Sequence, residues 1–167
     1  MFWPMLNLDP INLVNTPYYF RDCCPCVKGN TQVSARIDGR VANHHILTIV
    51  GALAKHKVYV ASYNIIEGIT EYKQVTHAFP LPTKEIIRIT DNTGRFVECS
   101  PDHKFWLENK KDYIPARELS FTDTLRHSDG NFGYDLEVVK TLVDTTVYQI
   151  TVDGNRNFYA NGILVAE

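Results

Sequence analysis

The sequence predicts an all-β protein, and three observations carry that prediction. From residue 26 onward the chain breaks into short runs rich in Val, Ile, Thr, Tyr and Phe. Turn dipeptides such as Asp38-Gly39 and Thr93-Gly94 separate the runs, with glycine accepting a positive φ that other residues resist. Helical spacing occurs convincingly in one segment only, and that segment contains a glycine.

Each element follows from its local pattern. "NTQVSARI" is a strand that ends in the turn "IDGR". "VANHHILTIVGALAKH" sets Ile46, Val50, Leu53 and Ala54 at helical spacing around Gly51, which predicts at most one short helix. "KVYVASYN" is a strand running into "IIEG", and "EIIRITD" pairs with "FVECS" across "NTGR". A turn is expected at "PARELS", and the polar, glycine-rich "RHSDGNFGYD" (126–135) reads as a loop. Two last strands follow, "LEVVKTLVDTTVYQITV" and "NFYANGILVA". Val147, Ile150, Val152, Phe158, Ile163 and Val165 mark their buried positions, while Asn157 and Asn161-Gly162 mark turns.

Composition bounds the setting. A chain of 167 residues with 44% hydrophobic and 22% charged residues fits one ordinary globular domain with a real core. The net charge of −2, with no lysine or arginine block, gives no electrostatic footprint for nucleic acid or lipid, so neither partner is expected. The opening "MFWPMLNLDPINLVNTPYYF" is apolar but interrupted by Pro4, Asp9, Pro10 and Pro17, and it lacks a basic n-region. It therefore fails as a signal peptide or membrane span and reads as an extended leader. Three of the four cysteines are clustered, which is not the framework of a secreted disulfide domain and points to a reduced, cytoplasmic setting.

Three places can carry chemistry. Cys26 stands at the mouth of the first strand, where a thiol can reach back to the carbonyl of Pro25 and exchange the peptide bond for a thioester. That exchange is uphill in water, so it needs a strained amide, donors for the oxyanion and an acid for the departing nitrogen. "ECSPDHKFWL" puts Ser100 and His103 on one tight turn, where an imidazole can serve that nitrogen. The third place is the C-terminal run "VYQITVDGNRNFYANGILVAE". Other readings of Cys26 are an inert half-buried thiol, a disulfide with Cys23 or Cys24 that would cap the nucleophile, and a zinc site. The zinc reading needs a second ligand pair, and only Cys99 and scattered histidines are on offer. His44, His45, His56, His77 and His127 show no acidic or cysteine company in sequence and read as solvated or satisfied.

In order, these segments resemble the inteins and the Hint domains that inteins share with hedgehog autoprocessing proteins. "CVKGNTQV" resembles the first motif, a nucleophile, four variable residues, then Thr-x-Val. "SYNIIEGITEYKQV" resembles the strand pair that follows, "CSPDHKFWL" the Thr-x-x-His motif with Ser100 in the threonine place, and "YIPARELSFTDTL" the segment after it. "VYQITVDGNRNFYANGILV" resembles the last motif, usually Tyr-Asp-hydrophobic-x-Val and then His-Asn-Phe-x-Ala-Asn-Gly. The resemblance implies a horseshoe-shaped β fold over residues 26–167, too short to hold a homing endonuclease, with residues 1–25 as N-extein or upstream flank.

It also implies a role for each matching residue. Cys26 attacks the Pro25 carbonyl, and His103 with Ser100 activates that bond. The chain acts once, in cis, as a monomer whose partners are its own flanking sequences, with no cofactor. Departures fall at the other end: Gln149 replaces the usual aspartate, Arg156 the usual histidine, and Ala166-Glu167 the usual His-Asn. A terminal asparagine cyclises through its side-chain amide nitrogen, which a glutamate lacks, so the C-terminal step has no agent. The proline ring of Pro25 also crowds the scissile carbonyl. Two functions follow from this reading: an autocatalytic peptide-bond rearranger, or a silent Hint module kept as a structural or binding unit.

Overall fold

The computed structural model describes residues 26–167, and within them the short runs and turns become two antiparallel sheets. In chain order the elements are β1 (Val27–Lys28), β2 (Gln32–Ile37), β3 (Arg40–His45), α1 (Ile46–Ala52), β4 (Val58–Asn64), β5 (Ile69–Thr90), β6 (Phe96–Cys99) and β7 (Lys104–Leu107). After them come β8 (Asp112–Pro115), a 3-10 turn (Ala116–Glu118), β9 (Leu125–Arg126), β10 (Phe132–Gly133), β11 (Glu137–Val152), β12 (Asn157–Ala160) and β13 (Ile163–Ala166). The predicted all-β class and the single short helix are both observed.

The larger sheet has the order β11-β1-β6-β5-β4-β2-β3. β2 and β3 close a hairpin through Asp38 (φ 53°) and Gly39 (φ 79°), two left-handed residues of the kind a two-residue hairpin requires. β5 joins into one strand the "ITEYKQV" half of the strand pair implied by the resemblance and the "EIIRITD" segment, together with the residues between them. It pairs with β4 at its start, with β6 at its end, and with β11 from Val75↔Val152 to Thr90↔Glu137. Pro80 and Pro82 lie inside it, two apart, so their nitrogens point to the same edge. Between Gln74, where β4 leaves, and Ile87, where β6 joins, no strand among the described residues pairs with that edge, and an edge without a ladder partner tolerates proline. Because β11 also pairs with β5, the path β11-β1-β6-β5 closes on itself. The two residues of β1 are thereby held from both sides, Val27 opposite Tyr148 and Cys99.

The second sheet has the order β10-β9-β7-β13-β12, with β8 on the flank of β7. The turn expected at Asn161-Gly162 is observed (φ 50° and 83°), and it makes "NFYANGILVA", read as one strand segment, a hairpin with Asn157 opposite Ala166. Asn157 is thus no turn residue but the buried head of β12. The loop expected over 126–135 holds a small hairpin, Arg126 opposite Phe132, because its Gly130 (φ 87°) makes the reversal.

One apolar core joins the sheets, with Val33, Val60 and Ile89 from the first packing with Phe105, Phe158 and Val165 from the second. Each such side chain contributes about 1.5–3 kcal/mol on burial. Helix α1, only 7 residues long, is too short to stand alone. Ile46 and Ile49 pin it to the core, and the N–H groups of Ile46 and Leu47 donate to Thr31 O (2.8 Å) and Gly29 O (3.1 Å). Gly29 has no room for a side chain, since a Cβ there would lie 2.9 Å from the Tyr148 ring. Among the described residues no helix is long and apolar enough to cross a membrane.

Candidate functional site

Cys26 is fully buried where β1 begins, its side chain among Ile86, Val147 and Leu81. Ser100 brackets its main chain. The Cys26 N–H donates to Ser100 Oγ (3.1 Å), the Ser100 N–H donates to Cys26 O (2.9 Å), and the Ser100 hydroxyl donates to the same carbonyl (3.3 Å). The nitrogen so held is that of the Pro25–Cys26 peptide bond. The sequence folds this way because β6 pairs with β1 at Val27↔Cys99, and Ser100, the residue directly after β6, is therefore delivered to Cys26.

Ser100 opens a β-turn whose second and third residues are Pro101 and Asp102, closed by the His103 N–H on Ser100 O (3.1 Å). His103 is buried, its ring set edge-on between Phe105 (centroids 6.1 Å apart) and Phe158 (6.3 Å). Ser100, more than seventy positions from Cys26 in sequence, is thus bonded to it directly, and His103 stands on the same turn three residues on.

Gln149 lies on β11. Continuing the register Val27↔Tyr148 by one residue sets it opposite Cys26. Arg156 and Glu167 meet each other instead. The Arg156 Nε–H donates to Glu167 Oε2 (2.8 Å), the Glu167 N–H donates to Arg156 O (3.0 Å), and the Val152 N–H donates to Glu167 Oε1 (2.6 Å). The ladder between β5 and β11 slips between Thr151 and Val152, a bulge of the kind that re-aims backbone groups. Val152 is three residues from Gln149, so this second cluster sits about 10 Å along the strand from Cys26, at ~3.4 Å per residue. Pro25, Cys23 and Cys24 lie outside the described residues.

Cys99 is buried on the other side of β6. It packs with Val27 in the main core, whereas Cys26 packs in a separate cluster. Burial, helped by the charges of Cys26 and Glu98, pushes the Cys99 thiol far up. Among the described residues no three His, Cys, Asp or Glu side chains converge as a metal site.

Two polar clusters lie outside the sequence reading. Asn157 is fully buried with its amide saturated: Oδ1 accepts from Ser62 Oγ (2.6 Å) and the Tyr63 N–H (2.9 Å), while Nδ2 donates to Tyr63 O (2.9 Å) and the Tyr113 hydroxyl (3.0 Å). Burial, and after it the charge of Glu167, raises the Tyr113 hydroxyl. A signal for Asn157 was present, since four residues after the Asn161-Gly162 turn demand four before it. His127, expected to stand without acidic company, is buried against Asp91 (Nε2 to Oδ2, 2.5 Å) and also touches Arg95 through Nδ1. Arginine only donates, so Nδ1 accepts and Nε2 carries its proton toward Asp91. Burial pushes Asp91 up, but the hydrogen bonds from Thr93 and His127 outweigh it and hold the carboxyl below its ordinary range. His56 has an acid too, Asp38, at 3.0 Å on the surface.

No protein-family model and no curated protein matches the sequence. Solved structures do match. A DnaB intein from Synechocystis sp. PCC 6803 superposes with a TM-score of 0.72 at 19% identity, over 84% of this chain and 96% of that one. A bacterial intein-like domain from Clostridium thermocellum gives 0.70 at 21%, over 86% and 99%. The PabCDC21-1 intein gives 0.73 at 20%, over 86% and 99%. Agreement across nearly the whole length, with the same curled sheets, settles the architecture: the chain has the Hint fold of inteins.

Proposed function

We propose that the chain rearranges one of its own peptide bonds, once and in cis, at the junction between an upstream flank (residues 1–25) and the folded body (residues 26–167). The observation that carries this reading is the grip of Ser100 on the Cys26 main chain, because it fixes the nitrogen that would have to leave. The Cys26 thiol gives up its proton to the neutral His103 imidazole as Sγ bonds to the Pro25 carbonyl carbon, and that proton is the one the imidazolium then delivers. The bond from that carbon to the Cys26 nitrogen breaks, and the nitrogen leaves as an amine after taking a proton from His103. A general acid in this position contributes roughly 10²- to 10⁴-fold. Water or an added thiol then takes the acyl group from sulfur, and residues 1–25 depart.

At the other end, Glu167 offers a carboxylate where cyclisation needs an amide nitrogen, and Arg156 and the Val152 N–H hold that carboxylate. The reading is therefore of an N-terminal cleavage whose C-terminal counterpart is disabled. Gln149 lines the strand opposite Cys26 and is assigned no proton transfer. The clamp on Glu167 also favours the second reading, a silent module retained to hold its flanks. Intact mass after incubation with thiol or hydroxylamine separates the two. Release of residues 1–25, abolished by Cys26→Ala, supports cleavage, whereas a chain that stays whole for a day with Cys26 reduced supports the silent module.

A further inference from the structure

We infer that Arg117 is a positioning residue for the step at Cys26, acting through Asp102 on the turn that carries Ser100 and His103; the inference rests on the reading of Cys26 and His103 given above. The turn is gripped from outside by the 3-10 segment. The Ala116 N–H donates to His103 O (2.8 Å), the Arg117 N–H donates to Pro101 O (3.1 Å), and the Arg117 guanidinium pairs with the Asp102 carboxylate. The segment is itself anchored, since Ala116 and Leu119 are buried in the main core on either side of Arg117. Strand β8, which leads into it, pairs Pro115 with Lys104, the residue directly after His103. A rigid path thus runs from the core through Ala116 and Arg117 to Asp102, and from that turn through Ser100 to Cys26.

Main-chain bonds hold the turn's two carbonyls, and the ion pair fixes its third residue, the one adjacent to His103. Without it the peptide plane between Asp102 and His103 gains freedom, and the imidazole moves with it. Only the guanidinium is half exposed, Arg117 at 48% against 17% for Asp102, and solvent around it screens the pair, so its contribution to stability is modest. Reaction rates are far more sensitive, since a misplacement of about 1 Å can cost ~10²-fold. The signature is therefore a variant that melts normally and reacts slowly.

The test uses the full 167-residue chain and follows thiol-induced release of residues 1–25 by intact mass across thiol concentrations. Arg117→Met and Asp102→Asn should each lower the limiting rate at high thiol about 10-fold, and the double variant should lose no more than either, as expected of residues acting as a unit. Arg117→Lys should recover part of the rate. Glu118→Gln, beside Arg117 at 3.8 Å, should change nothing. The half-saturating thiol concentration and the melting temperature should hold in all of them. The His103 ring resonances should shift in Arg117→Met and stay in Glu118→Gln. Wild-type release together with unchanged release in Arg117→Met overturns this inference and leaves the cleavage reading intact. A wild type that never releases its upstream segment overturns the cleavage reading, and this inference with it.

Discussion

Asn157→Ala removes an amide that fastens β12 to β4 and β8, and its cost can be worked from the contacts. Four side-chain hydrogen bonds disappear. Ser62 keeps a partner, because its hydroxyl also donates to the Asn157 main-chain oxygen at 2.9 Å, and the Tyr113 hydroxyl lies near enough to the surface to find water. The N–H and C=O of Tyr63 are left stranded. A buried group stripped of its partner costs about 1–3 kcal/mol, and Tyr63 is only partly buried, so the expected loss is about 2–4 kcal/mol. For a domain of this size that corresponds to a melting point lower by about 5–15 °C. Urea denaturation of the wild type and variant, with equal slopes, is the assay. Asn157→Asp should cost at least as much, because a second oxygen would then face the Tyr63 carbonyl. A loss below about 1 kcal/mol for Asn157→Ala would refute the claim that this amide ties the sheets together.

Other outcomes follow from the same geometry. Ser100→Ala should slow release of residues 1–25 about 2- to 12-fold, the worth of roughly one neutral hydrogen bond, while His103→Ala should slow it ~10²- to 10⁴-fold; intact mass over time reads both. Gly133→Ala should destabilise the fold by several-fold more than an ordinary surface change, since a Cβ there would lie 2.1 Å from Asp91 Oδ2, whereas Gly51→Ala, with open space around it, should stabilise α1 by about 0.4–1 kcal/mol in thermal melts. Asp91, held low in the folded state, contributes stability that is present above its unfolded value of about 3.9 and lost as pH falls through the lower folded value. The stability gap between wild type and Asp91→Asn should therefore be widest above about pH 4 and close below it, as followed by urea midpoints.

Much of the architecture was legible because it is written locally. Asp38-Gly39 is a hairpin signal between two strands, and the spacing of Ile46 and Val50 allowed the one short helix that is observed, ending before Leu53 and Ala54. The full length of β5 escaped because its prolines argue against a strand until one knows that no strand among the described residues pairs with the edge they occupy. Asn157 was misplaced for a related reason: asparagine favours turns in isolation, and only the saturating contacts from Ser62, Tyr63 and Tyr113 make it a strand residue. The partnerships of His127 with Asp91 and of Arg117 with Asp102 join residues with whole strands between them in sequence and leave no periodic trace. At the site, the bracket of Ser100 on Cys26 agrees with the motif order. The meeting of Arg156 with Glu167 does not follow from order at all, because two separate departures from a pattern do not announce that they complement each other.

The short strand that follows Cys26 owes both of its neighbours to later parts of the chain, Cys99 on one edge and Tyr148 on the other. On the ribosome, the thiol at position 26 must therefore wait until most of the polypeptide has been made before its surroundings exist. Pairings between residues so far apart in sequence also form slowly, on the scale of ms to seconds for sheet proteins of high contact order. Burial of that thiol is thus timed by synthesis itself: a truncated or stalled product carries Cys26 but not the chamber in which the proposed chemistry would take place.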